Sequence, residues 1–350
     1  MGVFSWLQNR LLPVVSSDDG AAAQPVESSA APGASKSPPA ALPTRKPVQR
    51  RPSIGALDRP ELLQAELAAD ERELAERLAQ RVAQGRFELP RLAPTSSAAI
   101  ALAERPSVEI KQLVETISHD PLLTSEMLRV ANSAMYSTQN PAGTLQQAVM
   151  RIGLRSVHGV ALTAAVRSSI GNHEGVRVYS EEVWRQSQSA ARIARALGVA
   201  LGFEAEEAHV IGLLHDVGKI VVLDLIESET RGGARLSSAC VAQCLFRLHE
   251  TAGAALAKAW RLPEALASVA GRHHDFQGNS SHPRQAALAY LAQELDLRLS
   301  IGDDEGLQAL EASPAFEVLG APEELRAELV HHGRHVWESA EEALGSQHSS

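Results

Sequence analysis

The string Leu213-Leu214-His215-Asp216-Val217-Gly218-Lys219 carries the side chains best suited to chemistry. An imidazole, a carboxylate and an ammonium group stand together in a strongly apolar stretch that also holds Val210, Ile211, Ile220, Val221 and Leu223. Burying such groups is costly unless they are paired, hydrogen-bonded or bound to a metal. Downstream come His249 and then His273-His274-Asp275. Imidazole and carboxylate ligands suit zinc, manganese, iron or nickel. A divalent ion held this way lowers the pKa of bound water and can drive phosphoester hydrolysis. His215, Asp216, His249, His273 and His274 are therefore candidate metal ligands. The alternative is a pair satisfied within the core, with His215 and Asp216 bonded to each other, to Lys219 or to a neighbouring histidine. On that reading Lys219 snorkels from a helix surface to water, His249 caps a helix beginning at Glu250, and His273-His274 complement the dipole of a helix end.

Other reactive side chains are weaker candidates. Cys240 and Cys244 lie at i, i+4 spacing, open to a metal or redox role but equally to one as small core residues. Two cysteines make neither a disulfide framework nor a four-thiolate zinc site. His331 and His335 share a face of the last helix, with His332 between them, and offer at most an adventitious ligand pair.

The elements that must position these residues all read as helices. Leu62, Leu63, Leu67, Leu74, Leu78 and Val82 recur near helical spacing and predict an amphipathic helix over 61–85. Ile110, Leu113, Val114 and Ile117 follow i, i+3, i+4, i+7. Asp120-Pro121 reads as an N-cap followed by proline at the first helical position. Gly153 separates helices over about 145–152 and 155–170. Ser180 reads as the cap of a helix carrying Glu181 and Glu182 in its first turn. Further helices are expected over about 206–226, 237–248, 250–260, 263–272, 284–299 and 322–343. No stretch alternates with period two, so the expected fold class is all-α.

Composition bounds the function. The chain has 350 residues, 4% of them aromatic, and a formal net charge of −9. An acidic, aromatic-poor chain is a poor general nucleic-acid binder, and no specific nucleic acid is expected as a partner. No apolar run reaches the roughly 18–20 residues needed to span a bilayer, which points to a cytoplasmic protein. Residues 1–15 form a short amphipathic segment with Phe4, Trp6 and Leu7, suited to weak membrane-surface association or to no role at all. Residues 16–60 are rich in Ala, Pro, Ser and Gly and are expected to be a disordered linker. Its later part is basic, with Arg45, Lys46, Arg50, Arg51 and Arg59 against the single acid Asp58.

The run His215-Asp216-Val217-Gly218-Lys219 resembles the signature of the HD phosphohydrolase superfamily. More specifically, residues 86–285 resemble an HDOD domain, the HD-related output domain of bacterial signalling proteins. The matching residues include Leu89-Pro90, His119-Asp120-Pro121-Leu122-Leu123, Leu128-Arg129-Val130-Ala131-Asn132-Ser133 and Ile152-Gly153-Leu154. Val183-Trp184-Arg185, Trp260-Arg261-Leu262-Pro263 and His273-His274 continue the resemblance. It implies a two-lobed helical domain, with lobes over about 88–170 and 180–299, and a C-terminal helical extension over 286–350. It also implies a regulatory rather than catalytic role, exerted by binding a signalling partner or ligand. Two departures support that implication. Where catalytic HD enzymes place a histidine after Trp-X this chain has Gln186, and the place of their last aspartate aligns loosely with Tyr290. Gln186 and Tyr290 join His215, Asp216 and Lys219 as candidates of a degenerate binding site. The resemblance also implies a phosphate contact for Lys219. No catalytic residue and no firm cofactor follow, and a metal-dependent phosphohydrolase with a rearranged site is the alternative function.

Overall fold

Asp120 accepts hydrogen bonds from the Leu122 and Leu123 amides, both at 3.0 Å, and so starts a helix with Pro121 in its first turn. Local capping of this kind recurs along an all-helical chain. The computed structural model describes residues 57–103, 105, 107–133, 136, 140–169, 176–230 and 236–346, and no strand occurs among them. The amphipathic segment 1–15 and the linker as far as residue 56 lie outside the described residues.

Two apolar cores organise the fold. Helices α1 (Pro60–Leu63) and α2 (Ala69–Ala83) precede the first lobe. The smaller core is built from α3 (Pro94–Ala103), α4 (Ile110–Ser118), α5 (Pro121–Ala131), α6 (Leu145–Ile152) and one face of α7 (Leu154–Ser169). Gly153, with φ of 80°, adopts the left-handed region that lets the chain turn between α6 and α7. The other face of α7, through Leu162 and Val166, enters the larger core. That core is built on α8 (Arg177–Ala200), α9 (Ala205–Leu214), α10 (Gly218–Thr230), α11 (Ser238–Ala259), α12 (Glu264–Gly271) and α13 (Pro283–Ile301). The C-terminal elements α14 (Asp304–Leu310), α15 (Pro314–Leu319) and α16 (Glu323–Ser346) pack against α13, and α16 also against α8. Tyr136 bridges the two lobes, with its hydroxyl 3.0 Å from Glu206 and 3.1 Å from Ser156.

Several sequence expectations need correction. The helix expected over 206–226 is broken at the motif itself. α9 ends at Leu214, His215-Asp216-Val217 form a turn, and α10 restarts at Gly218. The helix expected over 61–85 is two pieces, α1 and α2. Ser180 is not a cap: it lies within the first turns of α8, and its hydroxyl bonds the Val176 carbonyl. The helices expected over 237–248 and 250–260 are one, α11, so His249 sits mid-helix and caps nothing. The linker also ends earlier than residue 60, because Leu57 is fully buried in the larger core.

Two glycines draw the site-bearing elements together. A Cβ on Gly218 would overlap the His249 carbonyl oxygen and the Gly253 backbone nitrogen. A Cβ on Gly253 would in turn strike the Ala270 carbonyl oxygen. α10, α11 and α12 therefore meet backbone to backbone, which no larger residue permits. Gly218→Ala is expected to cost about 2 kcal/mol or more through overpacking, whereas Gly143→Ala, which meets only the tip of Gln147 at 3.9 Å, should be near neutral. Denaturant unfolding of both variants checks this; equal stabilities would contradict the close packing.

Candidate metal centre at the His215–Asp216 turn

The break between α9 and α10 aims His215 and Asp216 inward instead of along one helix face. His215 is 1% exposed and Asp216 2%. α11 supplies His249, and the chain leaving α12 supplies His273 and His274. His249 and His273 are fully buried. The five residues predicted from sequence as metal ligands converge. Ligand atoms of His215, Asp216 and His273 lie within 4.8 Å of one another, as do those of His249, His273 and His274.

Backbone carbonyls orient the imidazoles. His215 Nδ1 lies 2.8 Å from the Gly212 oxygen, His249 Nδ1 2.9 Å from the Leu245 oxygen, and His273 Nδ1 3.1 Å from the Val269 oxygen. A carbonyl only accepts, so each Nδ1 carries the proton and each neutral ring leaves a bare lone pair on Nε2. The three Nε2 atoms point toward Asp216, at 3.3 Å from its Oδ2 for His215 and at 3.2 and 3.5 Å from its Oδ1 for His249 and His273. Yet Asp216 Oδ1 and the Nε2 atoms of His215, His249, His273 and His274 find no hydrogen-bond partner among the described residues. Buried polar atoms left in this way call for an explanation. Lone pairs converging on a carboxylate without a proton aligned between them form the donor set of a divalent cation. These residues fit such an ion, which would supply Lewis-acid character and an acidified water.

Electrostatics favours neutral rings at His249, His273 and His274 and a charged one at His215. Burial works against an ionised Asp216, but His215, Lys219 and His249 outweigh it and hold its carboxyl well below the usual range. Burial also opposes a charged His215, yet the adjacent Asp216 raises it above its ordinary value. Burial lowers His249 and His273, and takes His274 down to about 4.

The remaining predicted residues divide. Lys219 does not snorkel: it is fully buried, with Nζ 2.7 Å from Asp216 Oδ2 and 2.7 Å from Asp58 Oδ2. Gln186 lines the small space beside the turn, and its buried Oε1 lacks a partner among the described residues. Tyr290 does not line it. It packs on Phe276 with ring centroids 4.9 Å apart, and the α13 residues that face the site are Gln293 and Asp296, three and six positions later. The face of α13 that meets the site begins one turn after Tyr290. Asp296 is already engaged by Arg185, at 3.2 Å to each oxygen, and by the Trp337 indole at 3.0 Å. Sequence reasoning missed Gln293 and Asp58. Gln293 was recoverable from i, i+3 spacing to Tyr290, whereas Asp58 sits in a polar stretch with no periodic signal. Cys240 and Cys244 are buried with free thiols on α11 and belong to the larger core as small residues.

Comparison with known proteins gives a consistent likeness. Residues 89–276 match the HDOD domain family. An uncharacterized protein of Treponema pallidum (strain Nichols) is 26% identical over 181 residues, which span 49% of this chain and 35% of that protein. A solved structure from Shewanella amazonensis SB2B, provisionally named a metal-dependent phosphohydrolase, has a TM-score of 0.60 at 23% identity and covers 77% of this chain and 100% of its own. An HDOD domain protein of unknown function from Geobacter sulfurreducens has a TM-score of 0.60 at 23% identity, covering 78% and 98%. A chain from Marinobacter aquaeolei VT8, provisionally named a signal transduction protein, has a TM-score of 0.53 at 20% identity, covering 82% and 68%. At these identities the structural likeness is one of fold.

The histidine cluster predicts a pH dependence. A histidine whose folded pKa is depressed binds protons more readily when unfolded, near its ordinary value of about 6.5. The stability that His249, His273 and His274 allow is present above that value and lost as pH falls toward 4. His215, raised in the fold, contributes oppositely, with stability lost as pH rises. Burial lowers His209 as well, to about 4, so four lowered buried histidines stand against one raised, and in metal-free protein the urea midpoint should fall steadily between pH 7.5 and pH 5. A midpoint that rises on acidification would contradict the burial of neutral imidazoles.

Proposed function

The chain belongs to the HDOD family, and on that premise we propose that it is a bacterial signal-output domain that works by binding, without turnover. The observation that carries this reading is the lack of room for a substrate while Asp58 is seated on Lys219. The space over the His215–Asp216 turn amounts to about 10 Å³, lined by Asp58, Gln186, Gln293 and Asp296 among others. That barely admits one water. Lys219, the group best placed to meet a phosphate, is neutralised by two carboxylates instead. Gln186 offers an amide, a feeble metal ligand, where a hydrolase needs imidazole. On this reading the divalent ion held by His249, His273, His274, His215 and Asp216 ties α10, α11 and α12 together. The domain's output is then a surface presented to a signalling protein in the cytoplasm.

A second reading, a metal-dependent phosphohydrolase with a rearranged site, is favoured by one feature: the unpartnered Nε2 atoms that fit a catalytic as well as a structural ion. Purified full-length protein loaded with zinc, manganese or iron separates the two. The expected result is about one tightly held ion per chain, reduced at least tenfold in occupancy by His249→Ala or His273→Ala, with no hydrolysis of phosphodiesters or cyclic dinucleotides above background. Metal-dependent turnover abolished by His215→Ala would overturn the binding-only reading.

A further inference from the structure

We propose that the Leu57–Asp58 segment is a built-in occupant of the pocket over the His215–Asp216 turn, a strap that competes with a phosphoryl-bearing ligand for Lys219. Asp58 lies well before the matched region, which begins at residue 89, and reaches Lys219 across 161 positions of sequence. Its Oδ2 accepts from Lys219 Nζ at 2.7 Å and from Gln293 Nε2 at 3.4 Å. Leu57 is fully buried beside it. A carboxylate oxygen set between an ammonium group and a side-chain amide occupies the place of a phosphate oxygen.

Two features mark the contact as exchangeable. First, Lys219 does not need Asp58 for neutrality, because Asp216 Oδ2 already sits 2.7 Å from Nζ. Withdrawing Asp58 leaves a paired lysine and a vacated oxyanion cradle, not an isolated charge. Second, the fit is incomplete. Among the described residues, Asp58 Oδ1 and Gln186 Oε1 are buried without partners, as is Arg59 Nε in the next residue. Two of these atoms belong to the strap itself and regain water when it leaves. Beyond Leu57, the strap is held through α1, which packs on α11. α1 is only four residues long, and Gln243 holds the carbonyls of Leu62 and Ala65 at 3.1 and 2.8 Å. Residues 64–68, between α1 and α2, are non-helical and supply a hinge. Release of the strap would expose Lys219, Gln186 and Gln293 together, and so link ligand binding to the chain that precedes the domain.

This inference deepens the binding-only reading and rests on it for the pocket being a ligand site. Inorganic phosphate is the probe, titrated calorimetrically into the full-length chain. Asp58→Asn, which keeps the shape and removes the charge, should bind phosphate about tenfold or more tightly than the parent, a gain of about 1.4 kcal/mol. Adding Lys219→Met to Asp58→Asn should remove that gain. Leu57→Ser, which keeps the carboxylate and removes the apolar anchor, should shift affinity in the same direction and speed amide exchange over residues 57–65. It also serves if Asp58→Asn does not fold. Unchanged phosphate affinity in the folded variants, or a gain that survives Lys219→Met, overturns the strap. Metal content read on the same samples keeps the two ideas apart. An intact ion with no phosphate gain sinks the strap alone, and a phosphate gain in protein that holds no metal sinks the ion alone.

Discussion

Asp216 is a buried carboxylate on which the rest of the site depends. Left alone it would not ionise in such surroundings. It ionises because Lys219 donates to one oxygen from the following turn and because His215, His249 and His273 gather around it. Each of those imidazoles has its other nitrogen fixed by a backbone carbonyl. The helices thus dictate the tautomers, and the tautomers aim lone pairs at one place. A buried cluster of this kind is stable only when a cation completes it or protons are shared within it, which is why occupancy and pH bear on the same residues.

The packing that permits this is backbone against backbone. Gly218 under His249, and Gly253 under Ala270, let α10, α11 and α12 approach closely enough for residues far apart in sequence to gather at one place. On the opposite side α8 and α13 contribute Gln186, Gln293 and Asp296. Asp296 is tied by Arg185 and Trp337, so the C-terminal helix α16 is anchored to the wall of the same pocket. The N-terminal arm closes the remaining side through Asp58. Segments from both ends of the described chain therefore converge on the motif.

Much of this was legible in the sequence. Helical periodicity, the Asp120 cap and the Gly153 break gave the all-α class and most boundaries in the first lobe. The spacing of His215-Asp216, His249 and His273-His274 named the cluster. What periodicity hid was the break at the motif, because apolar residues flank His215 and Asp216 continuously while the close approach at Gly218 requires a new helix start. Tyr290 was one turn off, since neighbouring apolar positions on α13 cannot be phased without knowing which face meets α8. Asp58 was invisible for a different reason: its partner is a tertiary one, and its local sequence reads as linker.

The most direct measurement is the protonation of the histidine ring nitrogens, read from long-range nitrogen–proton NMR correlations on the nitrogen-labelled full-length protein at pH 7.5. The account predicts that His249 and His273 carry their proton on Nδ1, with Nε2 bare and shifted further when zinc is added. Protons on Nε2 of either ring, unchanged by zinc, would contradict it.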